Sequence, residues 1–146
     1  MPRPQKCRRV GFEPEASVFK PAGVPARSLA QVNLSLDELE AVRLADLQGL
    51  YQEEAASRME VSRQTFGNIV ASARRKLADC VVNGKALHIA GGAVRFDGER
   101  TFGCHSCHRR WSLPYGTGRP EGCPACRSSD IQRYVNEINE EQGGKP

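Results

Sequence analysis

Apolar residues recur at helical spacing only in the middle of this chain, and three helices follow from that pattern. Ser35-Leu36-Asp37-Glu38 is a Ser-x-x-Glu capping box with acids in the first turn, so it opens the first helix. That helix carries Leu39, Val42, Leu44 and Leu47 and stops at Gly49. The second covers Gln52 to Met59, with Ala55, Ala56 and Met59 as its inward side. The third takes Ser62 as N-cap and runs to about Val82. At about 100° per residue, Phe66, Ile69, Val70, Ala73 and Leu77 fall within an arc of roughly 100°. The opposite face carries Gln64, Asn68, Ala71 and Arg75, with Gly67 beside them. Arg63 and Arg74 lie on one flank, and Thr65, Ser72 and Lys76 on the other.

The pattern fades on both sides of this block. Residues 1–33 hold Pro2, Pro4, Pro14, Pro21 and Pro25 with little helical periodicity, which predicts an extended basic N-terminal arm. Arg3, Lys6, Arg8 and Arg9 lie close together on it and are suited to follow a groove edge of DNA. After the third helix come an Asn83-Gly84 turn signal and then Gly91-Gly92, read as short strands or a hairpin leading into a linker. The expected division is an arm at 1–33, a helical domain at 34–90, a linker at 91–100, a cysteine module at 101–135 and a polar tail at 136–146.

Composition narrows the class. Of 146 residues, 39% are hydrophobic and 6% aromatic, which suits small modules rather than one large core. No apolar run approaches the roughly 20 residues of a membrane span, so no membrane partner is expected. The opening Met1-Pro2-Arg3-Pro4-Gln5-Lys6 lacks the apolar stretch of a secretory signal, and a cytoplasmic protein is expected. The net charge of +4 is unevenly spread: +4 over 1–33, −5 over 34–60, +4 over 61–88, +3 over 89–133 and −2 beyond. Basic blocks alternating with one acidic block suit a protein that meets a polyanion on particular faces. The acidic block is expected on the side away from that partner.

Two short helices joined at Met59-Glu60-Val61-Ser62 have the layout of a helix-turn-helix. Ala56 is small where the helices cross, Val61 plugs the turn, and Phe66 with Ile69 docks the second helix. Asn and Gln amides suit adenine edges, whereas Arg suits guanine or phosphate. Ser62, Arg63, Gln64, Thr65, Asn68, Arg74 and Arg75 are therefore the candidate DNA contacts, with Thr65, Arg74 and Arg75 placed to fix register on phosphates.

Several long stretches also carry a resemblance: MPRPQKCRRV, Phe19-Lys20-Pro21-Ala22-Gly23-Val24-Pro25, LSLDELEAVRLADLQGL, SRQTFGNIVASARRK and VNGKALHI. Together they resemble domain-of-unknown-function family 134, small prokaryotic proteins taken to bind DNA. The helical part is similar to the region-four helix-turn-helix of sigma-70-type factors, which implies a recognition helix in the major groove. Two positions depart from the family pattern. Glu60 stands where Gly is usual in the turn, and Tyr51 where Ser commonly caps the second helix.

The candidate metal site is separate. Cys104-His105-Ser106-Cys107 and Cys123-Pro124-Ala125-Cys126 are two Cys-x-x-Cys pairs. Each pair supplies two thiolates from one tight turn, and two such turns complete a tetrahedron around one structural Zn²⁺. Phe102, Trp111 and Tyr115 can supply the small core of a zinc-ribbon-like β module. Iron is the runner-up metal, and His105 or His108 is the alternative ligand. Cys80 reads as an apolar filler, and Cys7, between Lys6 and Arg8, as a thiol whose thiolate is favoured.

The expected fold class is thus mainly α, a helix-turn-helix domain followed by a small β zinc ribbon. No Ser-His-acid set, phosphate loop or dinucleotide turn appears, so an enzyme is not expected. The expected function is sequence-specific binding of double-stranded DNA by helix 62–82, in transcription regulation. The alternative is an adaptor docking on RNA polymerase or another transcription component without its own sequence recognition. A homodimer is compatible with either.

Overall fold

The capping box at the start of the first helix forms as its residues require. The Ser35 hydroxyl accepts from the Glu38 backbone N–H, and the Glu38 carboxylate accepts from the Ser35 N–H. This computed structural model describes residues 7–134. Arg3 and Lys6 of the expected arm and the tail 136–146 lie outside the described residues. The chain divides between Arg95 and Phe96 into two units.

The first unit runs through strands β1 (Arg8–Val10), β2 (Val18–Phe19) and β3 (Gln31–Leu34) before its helices begin. Helix α1 (Leu36–Val42) passes into a wide π-helical turn at Arg43–Leu47, followed by α2 (Gln52–Met59) and α3 (Arg63–Asn83). Strand β4 (Ala86–Ile89) follows, and β5 (Val94–Phe96) begins in this unit and ends at the first residue of the next. The three helices pack around Ala41, Leu44, Ala55, Ala56, Met59, Phe66, Ile69 and Val70. Val61 packs against this cluster, and Ala56 is small where α2 meets α3.

A mainly α fold is not what forms. Helix takes 34% and strand 24% of the structure, in three small sheets, so the fold is mixed α and β. The reason lies in the stretches that flank the helices. In β3 apolar residues alternate with polar ones, β4 is largely apolar, and Val32 pairs with Leu87 and Leu34 with Ile89 in parallel register. A parallel pair needs a long crossover, and here all three helices supply it. The side that carries Leu34, Leu87 and Ile89 buries against Ala73, Leu77 and Cys80 of α3. β2 adds to the other edge of β4, antiparallel, and β1 pairs with β5.

Buried charges tie the first strand to the first helix. Asp37, Glu38 and Glu40 are all buried, so part of the acidic block is internal rather than a solvated face. Asp37 accepts from Arg8 at 2.7 Å, and Glu40 accepts from Arg43 and from the Gly11 N–H. Glu38 accepts from Lys76 at 2.6 Å and from the Ser72 hydroxyl at 2.8 Å, both on α3. The bonds from α3 reach across at least 34 residues of chain, so none is visible as local spacing. Gly92 passes so close that a Cβ there would lie 2.6 Å from an Asp37 carboxylate oxygen.

The second unit is a three-stranded antiparallel sheet in the order β7 (Arg110–Pro114), β6 (Glu99–Cys104), β8 (Ile131–Tyr134). Phe102 stacks on Trp111 across the sheet, ring centroids 5.9 Å apart. Cys104, Cys123 and Ile131, with Trp111 against them, make the small buried cluster.

Candidate metal centre and nucleic-acid interface

The two cysteine turns are built alike. In the first, the Cys104 N–H donates to the Arg109 carbonyl and the His108 N–H to the Cys104 carbonyl. In the second, the Cys123 N–H donates to the Ser128 carbonyl and the Arg127 N–H to the Cys123 carbonyl. His108 and Arg127, each following the second cysteine of its turn, take φ of 63° and 62°. A left-handed residue there turns the chain back so that both sulfurs of a pair point the same way.

The four sulfurs lie within 4.8 Å of one another. Cys104 Sγ is 3.5 Å from Cys126 Sγ, and Cys107 Sγ is 3.6 Å from Cys123 Sγ. A tetrahedron with metal–sulfur bonds of about 2.3 Å has sulfur–sulfur edges of about 3.8 Å, whereas a disulfide measures about 2.0 Å. The spacing therefore fits a shared cation and not a covalent pair. His105 and His108 are not among the grouped ligands.

Electrostatics point the same way. The Cys126 backbone N–H, with that of Ala125, holds the Cys123 thiol down at about 6. The Cys107 N–H lowers Cys104 in the same fashion. The Arg109 and Ser128 N–H groups pull on Cys107 and Cys126, yet lost hydration and the adjoining sulfurs push both up, Cys126 to about 12. Cys107 and Cys126 are thus held protonated by their neighbours unless a cation balances the sulfurs, and all four can ionise around a dication. These cysteines can hold a metal ion.

The second candidate surface is α3. Its apolar stripe is turned inward: Phe66, Ile69, Val70 and Ala73 are buried, and Leu77 packs on the strands. The Ser62 hydroxyl accepts from the Thr65 N–H and donates to the Thr65 hydroxyl, so both side chains serve the helix cap. Arg63, Gln64, Asn68 and Arg75 are exposed. Arg74 is exposed too, but Asp46 holds it through two bonds of 2.7 and 3.0 Å. That contact lowers the Asp46 carboxyl below its ordinary value, and sequence spacing gave no sign of it.

The turn before α3 closes with Glu60 in the left-handed region, at φ 58° and ψ 43°. The Val61 N–H reaches the Ala56 carbonyl at 3.0 Å and the Glu60 N–H that of Ser57 at 3.1 Å, a Schellman pattern. Tyr51 makes no side-chain cap bond at the start of α2. Arg8 is committed to Asp37, and Cys80 is a buried filler whose thiol burial pushes up. Cys7 is exposed.

Fold and site together define a two-unit α/β protein with a helical unit and a four-cysteine unit. The chain belongs to the family described as "Protein of unknown function DUF134", whose model matches residues 1–97. It is 54% identical to a UPF0251 protein of Chlorobaculum tepidum over 134 residues, 91% of this chain and 68% of that one. It is 50% identical to a UPF0251 protein of Syntrophobacter fumaroxidans, covering 91% of this chain and 86% of the relative. A UPF0251 protein of Desulfosudis oleivorans is 47% identical over 91% of this chain and 98% of its own. No solved structure matches. Among the described residues no helix is long and apolar enough to cross a membrane.

Proposed function

We propose that this protein binds double-stranded DNA by sequence, as a transcription regulator, with α2 and α3 as a helix-turn-helix and α3 in the major groove. The observation that carries the reading is the outward face of α3. Gln64, Asn68 and Arg75 stand exposed opposite the buried stripe with Arg63 exposed on its flank, and none of the four makes a side-chain bond among the described residues. Amides on such a face suit adenine edges, and guanidinium groups suit guanine or phosphate. Arg74 brings less free charge than Arg75, because Asp46 already neutralises it.

The four cysteines hold one structural Zn²⁺ per chain in this reading, as a zinc ribbon. All four positions are thiolates, so no coordination site is left for substrate, and the role is not catalytic. A cytoplasmic, reducing setting suits thiols kept for metal.

A second reading, an adaptor that docks on the transcription machinery, draws on Leu47 and Tyr51, which are 59% and 87% exposed. A genome-wide map of sites bound by the protein separates the two. A discrete sequence motif supports the regulator, and recruitment to all promoters alike supports the adaptor.

A further inference from the structure

The sheet of the four-cysteine unit has two unlike faces. Side chains alternate along β6, so Phe102 and Cys104, with Trp111 and Ile131 across from them, point to the buried cluster. The other face is formed by Thr101, Gly103, Arg110, Ser112, Gln132 and Tyr134, paired across the same strands. It is hydroxyl, amide, guanidinium and one ring, and apart from Gly103 and the half-buried Thr101 these residues are exposed.

Its centre has a particular geometry. A Cβ on Gly103 would lie 2.4 Å from the Tyr134 ring, so the missing side chain lets that ring lie against the β6 backbone. The Arg110 guanidinium carbon sits 4.4 Å from the ring centroid. Tyr134 is 38% exposed, so the stack remains reachable. Arg110 opens β7 directly after the first cysteine turn, and that end of the sheet also carries the exposed Arg109 and Arg127.

We propose that this face binds single-stranded nucleic acid, an unpaired base stacking on the Arg110–Tyr134 pair while the exposed Arg127 at that end of the sheet meets a phosphate. Stacking needs an open base face, which a duplex hides between neighbouring pairs. An acidic peptide would use the charge but has no use for a ring with a guanidinium held over it. The site is independent of α3 and does not require that helix to read DNA.

The test titrates the full, metal-loaded chain into a fluorescein-labelled thymidine oligonucleotide about 15 nucleotides long, followed by anisotropy. Tyr134→Ala is expected to weaken binding by about tenfold or more, and Tyr134→Phe to keep it. Arg110→Lys keeps the charge but loses the plane, and is expected to weaken binding too. Metal content and Trp111 emission check that the unit stays folded, and Arg110→Lys decides if Tyr134→Ala does not fold. The proposal is overturned by a wild-type chain that fails to bind, or by a folded Tyr134→Ala that binds as wild type. It is equally overturned by polyglutamate displacing the oligonucleotide as readily as unlabelled strand does.

Discussion

The two units solve the same problem with unequal means. The helical unit buries two joined apolar clusters, with Phe66, Leu34, Leu44 and Met59 fully enclosed. The four-cysteine unit buries Phe102 and little else that is large, and two of its enclosed residues are the cysteines themselves. A sheet this small cannot offset the chain entropy of its turns by apolar burial alone. The difference teaches where each unit is vulnerable: one to loss of a side chain in its core, the other to anything that keeps its four cysteines from holding a cation.

The largest effect should follow from Cys123→Ser or from chelation. Metal binding in small cysteine modules is worth on the order of 10 kcal/mol, so the second unit should lose its fold. Trp111 is the sole tryptophan, and its emission should shift red while far-ultraviolet helical dichroism persists. A collapse of the helical signal as well would break the comparison.

Phe66→Ala is the converse. Removing a fully buried ring at the α2–α3 junction should cost about 3–5 kcal/mol, read as a fall in the helical melting temperature. Trp111 emission and metal content should not change.

Acid separates the units more gently. Burial works to raise the Glu38 carboxyl, but the bonds from Lys76, Ser72 and Ser35 prevail and hold it below its ordinary 4.5. A carboxyl lowered on folding stabilises the fold above its unfolded value, and that stability is lost as pH falls through the folded one. Denaturant melts of the helical unit should therefore weaken below about pH 4.5, and Glu38→Gln should flatten that slope. The variant should also cost about 1–3 kcal/mol near neutrality, because the Lys76 ammonium loses its partner. An unaltered slope would show that Glu38 is not the titrating group.

The smallest effect is a gain. Glu60 holds a left-handed conformation that costs a residue with a Cβ about 1–2 kcal/mol. Its 2.8 Å pair with Arg95 is exposed on both sides and worth about 0–1 kcal/mol. Glu60→Gly should thus stabilise the helical unit slightly, by up to about 1 kcal/mol in chemical denaturation. Destabilisation would mean that the ion pair outweighs the strain.

What could be read from the sequence follows the range of the interactions involved. The Ser35 box, the α2 limits, the Ser62 cap and the inward stripe of α3 are local patterns, and they formed where the residues placed them. The cysteine cluster was equally legible, because ligand spacing is itself a geometric statement. The strands after α3 and around the cysteines were read as such, but their partners ahead of the helices were not. β2 has only two residues, and β3 finds its partner β4 across the whole helical block, so neither offers a window long enough to show a period. The Pro-rich stretch looked like an arm for the same reason. Ion pairs hid too: Arg8 and Arg74 read as free cations because Asp37 and Asp46 lie 29 and 28 residues away.

The most direct test of DNA reading by α3 is selection of bound duplexes from a random pool with the full chain, followed by affinity measurement of the Gln64→Ala, Asn68→Ala double variant at the selected site. Both amides are exposed, so their loss should leave the fold intact. The expected result is a discrete motif and a loss of about 1–3 kcal/mol per amide contact at that motif, with base preference relaxed there. A folded double variant that binds the selected site as tightly as wild type would contradict the assignment of α3 as the reading helix.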